Sequence, residues 1–554
     1  MIPAARDCGD AAGTINVERV YHTRMNTEWA DADRLAALRG GITVVGDRDE
    51  ISVEAPATGE EIGAVPSCTA EDVAEATERA GAAQADWAAR AVEERVAAID
   101  RFHDLLLDRR DDVLDLIQVE TGKSRRDAVE EVMDVAVTAR HYGNRAPKLL
   151  ESERRSGAIP LATKAVVHRQ PVGVVGLISP WNYPVVLTVS DALPALLAGN
   201  AVVCKPAAET THVALLVREL LIEAGLPEDL FQIVSGSGER LGEPLIERVD
   251  FVGFTGSTAV GREVAALAGR NLLPSSLELG GKNPLLVLDD ADPESAAEGA
   301  VRASFANAGQ LCISTERLYV HESMYDAFVD EFVAATRDLS LGAEVGFGAD
   351  VGSLQSRAQL DKVRSHVEDA VERGADVLTG GRARPDLGPY CFEPTVLAGV
   401  TPEMDAHDEE TFGPVVSLYE VESVDEAVER ANDSEYGLNA SIWTGDDARG
   451  ERVAERIDCG TVNVNEGYAA AWGSIDAPMG GMNDSGIGRR HGDVGLTKYT
   501  ETRTVATQRY LPIGPGPLPD GVWAAGLVRA LRAWKRVSEL GRARTWTSLL
   551  GWRS

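Results

Sequence analysis

The chain has 554 residues, 44% of them hydrophobic, with 54 Gly and 25 Pro, enough to bury several large cores and more than one small domain needs. Asp and Glu number 88 against 54 Lys and Arg, a formal net charge of -34; that surface repels phosphates and anionic lipid, so nucleic acid is excluded as a partner of the main body.

In chain order, residues 1–45 show little apolar periodicity and carry no fold signal, and Met25 is an alternative start. From Ile51, "ISVEAPATGEEIGAVP" alternates around a Thr-Gly turn and predicts a hairpin. "AEDVAEATERAGAAQADWAAR" and "VEERVAAIDRFHDLLLDRRDDVLDLIQVETGK" have helical apolar spacing, with Val113, Leu114, Ile117 and Val119 as the stripe that packs on something flat. The flat partner is the set of short apolar runs "GVVGLISP", "NAVVCKP", "FQIVSG" and "DFVGFTG", separated by helices such as "THVALLVRELLIEAG". Buried strands alternating with helices mean βαβ units and a parallel sheet. A second α/β block runs from "NPLLVLDDADPESAAEGAVRASFANAG" to about residue 486, so two parallel-sheet lobes stand in tandem. "KYTETRTVATQR" is a terminal strand with no following partner, of the kind that pairs outside its own domain. In the last forty residues Trp523, Leu527, Leu531 and Trp534 recur at helical spacing among Arg529, Arg532, Lys535, Arg536, Arg542, Arg544 and Arg553. That basic amphipathic helix lies on a membrane surface or docks on the acidic body of a neighbouring subunit, and docking is the better reading.

Lysine stands at eight positions only, and the acidic residues are spread along the chain; the composition is that of a protein working in molar salt, where charge is screened over about 3 Å. Six cysteines without dense spacing predict reduced thiols in a cytoplasmic enzyme, and the nine His form no HExxH or His/Cys cluster, so no metal site is expected. No run is long and apolar enough for a membrane span, and no secretory leader pattern opens the chain.

A cofactor site belongs at the carboxyl ends of parallel strands. "SGSGERLG" nearly spells a dinucleotide fingerprint, but its spacing is off by one. "FTGSTAVG" is better placed: Ser257 or Thr258 caps the next helix, and Gly256 and Gly261 bracket its start, where an anion can sit. In "SPWNYP", Asn182 is a neutral directed donor suited to an oxyanion, or else a turn residue before Pro. In "SSLELGGKNP", Glu278 beside paired glycines is a general base or a surface charge. "NAGQLCIS" sets Cys312 after a glycine and two uncharged residues, with no CxxC partner.

Together "SPWNYP", "CKPAAET", "GFTGST", "LELGGKNP", "NAGQLC", "EETFGPV" and "APMGGMNDSGIGR" resemble, in order and over roughly residues 50–510, the aldehyde dehydrogenase superfamily. "VSDALPALLAGNAVV", "CISTERLYV" and "NVNEGYAAAWGSIDAPMGGM" are most similar to a succinate-semialdehyde dehydrogenase-like branch. The resemblance implies an α/β fold with an NAD(P)-binding domain over 46–279, within which 156–171 is a candidate oligomerisation hairpin, and a catalytic domain over 280–486. A return and oligomerisation segment over 487–510 follows, with extensions at 1–45 and 511–554. It makes Cys312 the nucleophile, Asn182 the oxyanion donor and Glu278 the base that hydrolyses a thioester. Cofactor contacts fall to Trp181, Lys205, Gly256, Ser257, Gly261, Glu410 and Phe412, and Tyr183 and Trp472 wall the aldehyde tunnel. Ala208 stands where NAD-selective members carry Glu, with the acid displaced to Glu209, so NADP is tolerated and the cofactor is NADP or NAD. A homodimer or homotetramer follows. Two rival readings are a long-chain or other aliphatic aldehyde dehydrogenase and a silent binding relative. No arginine for a second substrate carboxylate is identifiable, Ser190 standing where some semialdehyde enzymes have one.

Overall fold

The structure, a computed structural model, describes residues 32–158, 163–509 and 514–549, without the side chains of 32 and 536–549. The described residues up to Leu149 and from Pro171 to Thr500 form one compact unit; Leu150–Gln170 and the chain from Glu501 form another.

In the first unit the predicted hairpin is antiparallel, Glu50–Ala55 on Glu60–Pro66. Helix Ala70–Ala88 starts at a capping box of Thr69 and Asp72 and packs on strands Ala201–Lys205 and Phe231–Ile233. Those strands belong to a six-stranded sheet ordered Gly486–Ile487, Ser275–Glu278, Phe251–Thr255, Val174–Ile178, Ala201–Lys205, Phe231–Ile233. All neighbours are parallel except the first pair. Val174–Ile178 is the switch point, because the next two strands are laid on one side of it and the following two on the other, which leaves a crevice at their carboxyl ends.

Only Leu279 to Lys282 separate the carboxyl end of Ser275–Glu278 from the amino end of Asn283–Val287. That strand sits in a seven-stranded sheet ordered Asp376–Thr379, Thr395–Ala398, Val415–Val421, Thr315–His321, Asn283–Val287, Asn439–Trp443, Thr461–Val464, parallel but for the first pair. The short link brings the amino edge of the second sheet to the carboxyl edge of the first. Both sheets lie inside the one compact unit.

Two expectations are corrected. The stretch without a fold signal is folded from Ala32: helix Ala32–Arg39 buries Leu35 and Leu38, and Ile42 bridges to Ile233. Residues 1–31, with Cys8 and Met25, lie outside the described residues. In helix Arg110–Thr121 the buried face is Val113, Leu114, Ile117, Glu120 and Thr121, with Leu116 beside it, and Val119 is only half-buried. At 100° per residue Val119 falls about 120° round the helix from Val113 and about 160° from Ile117, and the face it was expected to share is completed by a glutamate.

In the other unit, strands Thr500–Gln508, Thr163–Pro171 and Glu153–Arg155 form a sheet in that order. Thr500–Gln508 has no partner on its outer edge among the described residues, and from Glu501 on it is exposed. Helix Asp520–Leu549 follows, with Leu527, Leu531 and Trp534 exposed and Trp523 half-buried. The side chains of Arg536, Arg542 and Arg544, and all of Arg553, lie outside the described residues. No helix among the described residues is long and apolar enough to cross a membrane.

Candidate active site

Four strands of the first sheet end in residues singled out by sequence. After Val174–Ile178, the "SPWNYP" turn leads into helix Pro184–Val189, with Pro184 at its first position. The N-H groups of Val185 and Val186 donate to the buried Glu131 carboxylate at 2.8 and 3.3 Å. Lys123 Nζ bridges that carboxylate and the Asn182 carbonyl at 2.7 and 2.6 Å, so the loop carrying Asn182 is fixed from behind. Lys205 ends its strand with Nζ donating to the carbonyls of Pro206 and Gly236, both at 3.1 Å. Burial lowers its pKa and the exposed Glu209 opposes that; Ala208 is half-buried beside it. Ser257, not Thr258, caps helix Thr258–Arg270, accepting from Val260 N-H at 3.4 Å, while Thr258 donates to the Asp484 carbonyl. The Gly256 N-H donates to the Glu278 carbonyl at 3.1 Å. A Cβ on Gly261 would fall 2.3 Å from Leu279 Cδ2, so this helix lies directly against the segment after Glu278. Ser237 caps Gly238–Ile246 in the same manner, and the "SGSGERLG" loop is the one that Lys205 touches.

The cysteine arrives from the second sheet. Helix Pro293–Phe305 ends in a loop where Asn307 and Ala308 take φ of 50° and 53°, a left-handed geometry that costs about 1 kcal/mol or more for each side-chain-bearing residue. Gly309 follows at φ 70°, and a Cβ there would lie 2.0 Å from the Gly413 carbonyl oxygen, so glycine is required. The strained loop is held by hydrogen bonds. Asn307 Nδ2 donates to the carbonyls of Asn182 and Gln310 at 3.1 and 3.0 Å, Asn182 Nδ2 donates to the Gln310 carbonyl at 3.1 Å, and Gln310 Oε1 accepts from Gln355 N-H at 2.8 Å. Asn283 Nδ2 fixes the Cys312 carbonyl at 2.7 Å. Of the five described cysteines, Cys312 alone is not buried. Desolvation, with Glu410 and then Glu278 adding repulsion, pushes its thiol up to about 12.

Glu278 is buried and Glu410 half-buried, and both are poorly bonded. Glu278 is 8% exposed, its Oε1 has no hydrogen-bond partner, and burial raises it to about 7 against the opposing pull of Arg490 and Lys498. Glu410 accepts one N-H, from Gly281 at 2.9 Å, and burial followed by repulsion from Glu316 raises it to about 7. The loop of Glu410 and Phe412 is clamped by the buried Lys282–Glu316 pair: Glu316 accepts from Thr411 and Phe412 N-H at 2.9 and 3.0 Å, and Lys282 donates to the Glu409 carbonyl at 2.7 Å. Phe412, at φ 54°, meets Trp181 edge to face at 5.6 Å.

Asn182, Cys312, Tyr183 and Trp472 line one pocket. Glu278 does not line it but is within electrostatic reach of Cys312, and Lys205, Ser257 and Gly261 do not line it either. Among its other lining residues, which sequence reading did not single out, three are polar: Glu130, Tyr468 and Arg490. Tyr468 OH donates to both Glu130 oxygens, at 3.1 and 3.0 Å, and Arg302 joins them at 3.0 Å. The only local signal for Arg490 is the doubled arginine of "GIGRRHG". Ser190 hydroxyl donates to Asp134 at 2.5 Å.

Fold and pocket together define an α/β enzyme with a fixed cysteine at the meeting edge of two parallel sheets. Residues 44–505 match the aldehyde dehydrogenase family model, and the chain belongs to that family. It is 51% identical over 508 residues to a protein of Mycolicibacterium smegmatis named as a candidate NADP(+) succinate-semialdehyde dehydrogenase, covering 91% of this chain and 98% of that one. A glutarate-semialdehyde dehydrogenase of Pseudomonas aeruginosa is 36% identical over 480 residues, 86% of this chain and 95% of its own. The crystal structure of succinate-semialdehyde dehydrogenase from Burkholderia pseudomallei superposes with a TM-score of 0.80 at 36% identity, over 84% of this chain and 97% of that one.

Proposed function

We propose that the chain oxidises a short semialdehyde, succinate semialdehyde foremost, to the carboxylic acid, with Cys312, Asn182 and Glu278 as the reacting constellation. The Cys312 thiol releases its proton to solvent as Sγ adds to the aldehyde carbon, and the resulting oxyanion of the thiohemiacetal takes hydrogen bonds from Asn182 Nδ2 and the Cys312 N-H. A bound nicotinamide dinucleotide supplies the acceptor for the hydride that leaves this carbon. Glu278 then takes a proton from water as the water oxygen attacks the thioester, giving the free acid and restoring the thiol. The observation that carries this reading is the arrangement itself: the one described cysteine that is not buried shares a pocket with the Asn182 amide and lies within electrostatic reach of an underbonded buried carboxylate.

The residues at the first sheet's edge fit a dinucleotide. The Ser257-capped helix offers N-H groups to a pyrophosphate, Lys205 has only carbonyl partners for its ammonium, and Trp181 and Phe412 supply a ring-lined end. We assign NADP as the favoured cofactor and NAD as the alternative, on Ala208 and on the M. smegmatis relative's name. The assembly is assigned as a homodimer or homotetramer of a cytoplasmic, salt-adapted enzyme, built by pairing the free edge of Thr500–Gln508 and docking the exposed apolar residues of helix Asp520–Leu549 on a second copy. Steady-state rates on succinate, glutarate and α-ketoglutarate semialdehydes and on aliphatic aldehydes test the substrate; a preference for long aliphatic chains would overturn it. Sedimentation in high salt of the full chain and of a 1–514 truncation tests the assembly, and a monomer in both would overturn it.

A further inference from the structure

Of the twelve residues lining the pocket, two carry charge, Glu130 and Arg490. Glu130 is spent: both its oxygens accept from Tyr468 OH, and Arg302 neutralises it from the rim. Arg490 is not. Its side chain is 11% exposed, and among the described residues its one ion pair runs from Nε to Asp191 Oδ2 at 3.3 Å. Asp191 is shared with Lys498 Nζ at 3.2 Å and with Tyr499 OH at 3.3 Å. Guanidinium carries five N-H donors, and those of Arg490 make no side-chain hydrogen bond among the described residues, whereas its neighbour Arg489 donates from Nη1 to the carbonyls of Gly481 and Gly488. A largely buried cation with vacant donors is a costly arrangement unless something anionic completes it.

The backbone aims it. Arg490 N-H donates to the Met479 carbonyl and Met479 N-H to the Arg490 carbonyl at 2.6 and 2.9 Å, and His491 turns left-handed at φ 58° directly after. Met479 itself lines the pocket, so the pair brings the guanidinium to the same wall. Two other acids face it, Asp134, which Ser190 hydroxyl binds, and Glu278, the assigned base, and neither is hydrogen-bonded to the guanidinium among the described residues.

Resting on the reading that the substrate is a semialdehyde, we propose that Arg490 is the residue that reads its second carboxylate. The aldehyde end meets Cys312, the carboxylate takes two parallel N-H bonds from the Arg490 fork, and the methylenes between them pack on Val186, Leu187 and Met479. The cation comes from the far end of the chain, and Asp191 holds it beside Ser190.

The test compares succinate semialdehyde with butanal, which has the same length and no carboxylate. In wild type kcat/KM favours the semialdehyde; in Arg490→Met the ratio of the two kcat/KM values falls at least about thirty-fold, and Arg490→Lys, keeping charge but losing the fork, falls between. A ratio that survives while both rates drop together overturns the assignment and leaves Arg490 as a support for Glu278. A wild type that does not prefer the semialdehyde overturns the substrate reading, and this assignment with it. Should the variants fold poorly, the intact enzyme decides: succinate inhibits more tightly than butyrate if Arg490 reads the carboxylate, and equal inhibition overturns it.

Discussion

Two buried glutamates in this protein have opposite fates. Glu120 is fully buried, yet its oxygens accept from His212 and Val213 N-H at 3.0 and 2.8 Å, with His212 Nδ1 a further 2.7 Å away. It caps helix Thr211–Glu223 and completes a helix face. Glu278 is almost as buried, but its Oε1 has no partner and its pKa is displaced to about 7. Burial with full hydrogen bonding makes a structural carboxylate, and burial without it leaves a group able to take a proton near neutrality. The described cysteines divide the same way, four buried thiols against one that lines a pocket.

The sharpest way to break that contrast is Cys312→Ala, which should lower turnover by about four orders of magnitude or more while the melting curve stays that of wild type. Glu278→Gln comes next. Acylation should survive as a burst of reduced cofactor, and steady-state turnover should fall by about 10²–10³-fold. Its pH profile carries the sign: Glu278 works as the carboxylate, so wild-type turnover should fall as pH drops through about 7, and this limb should vanish in the glutamine variant. Glu120→Ala reports on the other side of the comparison, since it strands buried donors in the His212 turn and should cost about 2–4 kcal/mol of stability by urea melt, with KM values as in wild type. The smallest effect belongs to Ala208→Glu, which places a carboxylate where a 2′-phosphate is expected and should shift the NADP to NAD ratio of kcat/KM by about tenfold toward NAD.

Much of the site was legible because its parts are local. Strand ends, turn glycines and capping serines are written within a few residues, so Asn182, Lys205, Ser257, Glu278 and Cys312 were found from short motifs at strand or helix ends. What sequence hid is long-range. Asp191 and Arg490 are an ion pair across nearly three hundred positions, and Glu120 meets His212 across ninety-two. Neither pairing leaves a periodic or motif-level trace, because the fold alone brings the partners together. Helix Ala32–Arg39 was missed for a different reason: two leucines three apart are too few to show a period, and tertiary packing decides such short helices.

The central claim is that Cys312 carries the acyl group which Glu278 helps to hydrolyse. Glu278→Gln enzyme mixed with NADP and succinate semialdehyde, quenched within seconds and digested, should show the succinyl mass increment on the peptide of Cys312, decaying slowly while wild type shows little. An unmodified Cys312 during turnover, or an adduct that clears from the variant as fast as from wild type, would contradict the account.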